Sequence, residues 1–174
     1  MVEQPPRREP AEHAAVTPAQ ILLAVDVGLH TGLALFDDAA RLLWYRSHHL
    51  ADPQKLKRLV AKLLRSPPRP THIYLEGGGP LADIWLRAAD SSGLTPVQLQ
   101  AQQWRQRLFH ARQHSSGSIA KQQADRMARD VIAALGDKNP TGLRHDTAEA
   151  VLLGLYALLD LGWLDSWPPT KEKK

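Results

Sequence analysis

The sequence predicts an α/β domain: a mixed five-stranded sheet, three antiparallel strands followed by two more, flanked by helices. Three observations predict it. Three strand-like apolar runs follow one another between residues 21 and 48 with short connections, which is the pattern of an antiparallel meander. A segment with a 3.6-residue apolar period follows them, and two further strand-like runs then alternate with helical stretches. A long apolar helix closes the pattern at residues 145–160.

Each element has its own local reason. Residues 21–27, rich in Ile, Leu and Val, read as a buried strand, and Gly28 to Thr31 supply turn chemistry. Thr31 to Phe36 read as a second strand, and Leu42 to His48 as a third after the turn residues Asp37 and Asp38. Pro53 opens a helix whose apolar positions Leu56, Leu59, Val60, Leu63 and Leu64 share one face, with Lys55, Lys57, Arg58 and Lys62 over the rest, and the segment SPPRP stops it. His72 to Glu76 form the fourth strand, Pro80 to Ala89 a helix, and Thr95 to Leu99 the fifth strand. A short helical segment around Trp104, a Ser/Gly-rich loop, a helix capped by Ser118 and running to Leu135, and a last helix from His145 or Asp146 to Asp160 complete the order.

The chain has 174 residues and 43% hydrophobic content, enough for one domain with a sizeable core. That domain is expected over residues 21–164, with polar tails at 1–20 and 165–174. A net charge of +4 favours a polyanionic partner. The absence of cysteine removes disulfides, thiolate metal sites and cysteine nucleophiles, and fits a reducing, cytoplasmic setting. The apolar run from Val151 to Leu164 is interrupted by Gly154, Asp160 and Gly162 and is too short to span a bilayer. The N-terminal segment lacks an apolar leader core.

Acidic residues carry the functional signal. Asp26 ends the first strand, Glu76 ends the fourth, and Asp146 and Glu149 lie three apart at a helix start, so both project from one face. Clustering carboxylates is costly unless a cation sits between them. Hard oxygen ligands of this kind suit Mg²⁺ or Mn²⁺. Three of them also have a plainer reading: Asp26 as a turn cap beside Gly28, Asp146 as a helix N-cap, and Glu149 as its capping-box partner.

A second signal is basic. Gln102, Trp104, Arg105, Arg107, Arg112, Lys121, Gln122, Arg126 and Arg129 fall within one stretch, with His110 and His114 between them. Such groups neutralise phosphates and give salt-dependent affinity, although Arg126 and Arg129 equally suit a solvated helix face. Trp104, at a helix entry, is expected to pack.

This order of elements is the ribonuclease H-like architecture, and the segments AVDVGLHTGLALFD, IYLEGGG and HDTAEAVLLGLYAL resemble, in order, the RuvC-type Holliday-junction resolvases of that superfamily. The stretch TPVQLQAQQWRQRLF, followed by a small-residue loop and GSIAKQQADRMARDVI, resembles the same family, so the likeness spans roughly residues 21–160. The resemblance implies a structure-selective endonuclease that resolves four-way DNA junctions in recombination and repair by two-metal-ion hydrolysis. It assigns Asp26, Glu76, Asp146 and Glu149 as catalytic metal ligands, with Asp26 bridging two Mg²⁺ or Mn²⁺ ions.

It also places Arg105 and Lys121 near the scissile phosphate, with Arg107, Arg112 and Gln122 among the DNA contacts and His145 beside the ligand set. Symmetric cleavage of a junction implies a homodimer, for which the helix face bearing Leu81, Ile84, Trp85 and Ala88 is a candidate interface or ordinary core. Glu149 stands where an aspartate is more usual. In these resolvases an aromatic residue commonly follows the active-site glutamate by three places; this chain has Gly79 there, and Trp85 is a candidate substitute. Other readings stay open: a related nuclease for RNA–DNA hybrid, flap or damaged DNA, an inert nucleic-acid-binding module, or an actin-like phosphotransferase sharing the Asp-x-Gly turn. The last normally needs two such domains, and this chain has room for one.

Overall fold

The computed structural model describes residues 19–50, 52–109, 117–136 (backbone alone over 117–120) and 143–167. In chain order the elements are β1 (Ile21–Asp26), β2 (His30–Asp37), β3 (Leu42–His49), α1 (Pro53–Arg65), β4 (His72–Glu76), α2 (Gly79–Ser91), β5 (Val97–Leu99), α3 (Ala101–Leu108), α4 (Gly117–Leu135) and α5 (His145–Asp160). The strands form one sheet in the order β3-β2-β1-β4-β5. β1, β2 and β3 pair antiparallel, while β4 is parallel to both β1 and β5. This is the mixed five-stranded, helix-flanked ribonuclease H-like sheet expected from the sequence.

Side-chain alternation divides the core in two. Ile21, Leu23, Val25, Leu33, Leu35, Ile73 and Leu75 face α1 and α2, whereas Leu22, Ala24, Ala34, Phe36 and Tyr74 face α4 and α5. β1 and β4 are buried on both faces, which explains their unbroken apolar runs. α5 is apolar nearly all round because the sheet covers one side and α4 another; even its Gly154 is set by contact, since a Cβ there would lie 2.1 Å from the Phe36 ring.

Several boundaries differ from the sequence reading for local reasons. Asp52 caps α1, accepting from the Gln54 amide at 2.8 Å, so the signal for this helix start was one residue before Pro53. β5 keeps only Val97–Leu99, the residues that pair with Tyr74–Glu76. Ile84 and Trp85 of α2 are core residues, and Trp85 is fully buried. Trp85 therefore cannot stack on a nucleic acid, and the face suggested for dimerisation is mostly used within the domain, with Leu81 and Ala88 part-exposed. Trp163, Leu164 and Trp167 pack on the α5 side of the core. Among the described residues no helix is long and apolar enough to cross a membrane.

Candidate active site

The sheet register builds the site. Leu99, Glu76, Asp26, Gly32 and Ser47 are successive partners across β5, β4, β1, β2 and β3. Direct partners share a face, and this row lies on the face that carries α5. Glu76 and Asp26 therefore stand side by side at the carboxyl ends of two parallel strands, the end of an open α/β sheet where sites usually form. Gly32 has no side chain, and the first turn of α5 fills the space above it: a Cβ on Gly32 would fall 1.8 Å from the Asp146 carbonyl oxygen. That close approach brings Asp146 and Glu149 to the two strand-end carboxylates.

The N-cap of α5 is Arg144, without a side-chain cap bond, which removes the capping reading of Asp146 and Glu149. Asp146 instead accepts a hydrogen bond from the Ser47 hydroxyl. Glu149, almost completely buried, accepts from Arg105 at 2.7 Å and has His145 Nε2 at 3.6 Å from its other oxygen. Glu76 accepts from Trp104 Nε1 at 2.6 Å. Trp104 is fully buried, as expected of a packed tryptophan, but it is also a donor to the acidic cluster, and Arg105 lies over its ring at 5.1 Å.

Among the described residues none donates a hydrogen bond to Asp26. Burial, reinforced by the charges of Glu76, Glu149 and Asp146 and opposed by Arg105, pushes its carboxyl up to about 8. Glu76 is also raised, first by burial, with the Trp104 bond acting the other way. Burial works against the charge on Arg105, but its bond to Glu149 and the charges of Glu149, Glu76 and Asp26 outweigh this and hold the guanidinium above its usual range. When ionised, the four carboxylates carry more negative charge than Arg105 neutralises.

That excess, on carboxylate oxygens alone, fits a hard divalent cation. As the side chains stand, no three Asp, Glu or His residues among those described converge as a ready metal cage. Glu76, Asp146 and Glu149 are each bonded through one carboxylate oxygen, to Trp104, Ser47 and Arg105 respectively.

The other expected contacts are spread out. Lys121 and Gln122 of α4 line an open groove with Asp125, Leu143 and His145, the last of which lies 3.6 Å from Glu149. Arg107 lies towards the far end of α5, reaching Asp160 and the Leu159 carbonyl at 3.2 Å and covering the Tyr156 ring. Arg129 pairs with Asp125 along α4 at 2.8 Å. Arg112, His110 and His114 lie outside the described residues. Gly79 has φ +74° and open space around it.

Ser47 is the site residue the sequence reading missed. Its partner is 99 residues away, and a serine among LLWYRSHH gives no local sign of a role. Trp104 was singled out for packing, and its bond to Glu76 depends on β5 and α3 being brought beside β4.

No protein-family model matches the chain, and no curated protein matches it. Among solved structures it is similar to T. thermophilus RuvC in complex with Holliday junction substrate, with a TM-score of 0.57 and 17% identity over 82% of this chain and 96% of that one. This likeness shows the ribonuclease H-like fold. A weaker match, to the simian T-cell lymphotropic virus intasome in complex with PP2A regulatory subunit B56 gamma, has a TM-score of 0.29 and 11% identity over 76% of this chain and 46% of that one, too distant to bear on the site.

Proposed function

We propose that this chain is a metal-dependent endonuclease that cuts branched DNA, with the four-way junction as its substrate. The observation that carries the reading is the row of Asp26 and Glu76 at adjacent strand ends beneath Asp146 and Glu149 of α5. Its fold is that of a resolvase solved on its junction.

Asp26, Glu76, Asp146 and Glu149 would hold Mg²⁺ or Mn²⁺ as two ions. When bound, these supply activation of the attacking water and charge stabilisation at the leaving 3′ oxygen. The chain's own residues prepare for that state. Ser47 fixes Asp146, Trp104 fixes Glu76, and Arg105 neutralises Glu149. From the same cluster Arg105 would meet a phosphate oxygen, while Lys121 and Gln122 would receive the strand along the groove beside His145. Paired cuts across a two-fold junction require two copies of the site, so the active species is a homodimer.

A panel of labelled substrates tests this: four-way junction, linear duplex, RNA–DNA hybrid, flap and single strand, each with Mg²⁺, Mn²⁺ or EDTA. Metal-dependent paired nicks confined to the junction support the proposal. Preference for another substrate moves the chain to a related nuclease activity, and no cleavage of any substrate leaves a binding module.

A further inference from the structure

We propose that the outward face of α1 is a second DNA-binding surface, which holds the phosphate backbone of a duplex arm on the side of the sheet opposite the carboxylates. Lys55, Arg58, Lys62 and Arg65 are spaced i, i+3, i+7 and i+10 and are all exposed. At 100° per residue they fall within one narrow stripe, directly opposite the buried Leu56, Val60 and Leu64. No acidic residue lies in the helix, and among the described residues no ion pair engages these four cations. An unneutralised stripe of this kind repels itself, a cost that a polyanion relieves.

The packing of α1 decides the partner. Basic amphipathic helices also bind membranes or wrap into partner grooves, but both modes need the apolar face. Here that face is spent on Leu23, Val25, Leu33 and Leu75 of the sheet. Charge alone is left for a ligand, so the ligand must be recognised through repeated negative charge. From Lys55 to Arg65 the helix rises about 15 Å, a length over which one strand of duplex DNA carries about four phosphates at 3.4 Å each. α1 packs on the α2 side, whereas Asp26 and Glu76 face α5. The stripe thus grips DNA away from the point of cleavage, where a further arm of a branched substrate can be held. The choice of DNA as the polyanion rests on the proposed nuclease function.

The test is DNA binding by the full chain in EDTA, read by fluorescence anisotropy of a labelled four-way junction between about 50 and 200 mM salt. The variant replaces Lys55, Arg58, Lys62 and Arg65 together by Gln, and its control exchanges Lys for Arg and Arg for Lys at the same positions. At about 0.9 in the log–log salt slope per phosphate, four contacts predict a slope smaller by about 3 to 4 in the Gln variant, with weaker binding throughout, and no change in the control. If the fourfold variant fails a thermal-melt check, the Lys55→Gln/Arg58→Gln and Lys62→Gln/Arg65→Gln pairs each predict a fall of about 2. Wild-type affinity and slope in the Gln variants would overturn the proposal. So would unchanged DNA binding with lost binding to vesicles of anionic phospholipid, which would assign the stripe to a membrane surface. Because no cleavage is measured, a chain that cuts nothing but shows the slope change defeats the nuclease reading and leaves this surface standing.

Discussion

The carbonyl oxygen of Asp146 occupies the space that a side chain on Gly32 would need, with only 1.8 Å between that oxygen and an added Cβ. A glycine in the middle of a strand is otherwise a weakness; here it lets the start of α5 lie on the sheet beside Asp26, its partner on β1. Gly32→Ala is therefore expected to push α5 off the strand, cost about 1–3 kcal/mol or more of stability, and lower cleavage even where the protein stays folded. Denaturant unfolding and a cleavage assay at saturating DNA check both effects. Wild-type stability would show that α5 can shift without loss.

Ser47 holds Asp146 by its hydroxyl, and among the described residues it makes no hydrogen bond to another carboxylate of the cluster. As a positioning residue it predicts a split effect. Ser47→Ala should lower the cleavage rate about tenfold, the equivalent of one hydrogen bond to a charged group, with junction affinity unchanged, and Ser47→Thr should recover part of the loss. A weakened junction affinity with an unchanged rate would assign Ser47 to DNA binding instead.

The acidic cluster predicts a pH dependence of stability without metal. Asp26 has a folded-state carboxyl raised to about 8 from 3.8, mainly by burial and then by Glu76, Glu149 and Asp146. A raised acid binds its proton more tightly when folded than when unfolded, so the metal-free protein should lose stability as pH rises from about 4 towards 8 and then level off. Glu76, also raised, adds in the same direction. Thermal melts in EDTA across this range check the slope, and Asp26→Asn should flatten it. Mg²⁺ should raise the melting temperature most near pH 8, where the proton no longer screens the cluster.

Much of this site was legible in the sequence because it depends on element ends. Asp26 and Glu76 close apolar runs that had to be strands, and Asp146 and Glu149 open a helix apolar on every side. What could not be read was which side chain each acid meets. Ser47 reaches Asp146 and Trp104 reaches Glu76 only through strand pairing and packing between distant segments. Trp85 misled for the same reason: its helix has an apolar face, and only the packing of α2 against α1 and the sheet turns that face into core. Asp52, by contrast, was a local cap signal that could have been read directly.

Arg105 holds Glu149 with a guanidinium where the proposed function requires a cation. Removing it should have opposite effects on the two ligands. Arg105→Ala is expected to tighten Mn²⁺ binding several-fold in a calorimetric titration, because Glu149 no longer has to be released. It should also weaken junction binding and reduce its salt slope by about 1. Weaker Mn²⁺ binding would mean that Arg105 supports the ligand geometry rather than competing for it.

The most direct test of the central claim compares wild type and Asp26→Asn on a labelled four-way junction with Mg²⁺, measuring cleavage and binding on the same samples. The carboxylate site predicts that the variant binds the junction as well as wild type or more tightly, since one negative charge near the phosphates is gone, and that it does not cut. Cleavage by the variant at the wild-type rate would contradict the assignment of these carboxylates as the nuclease centre.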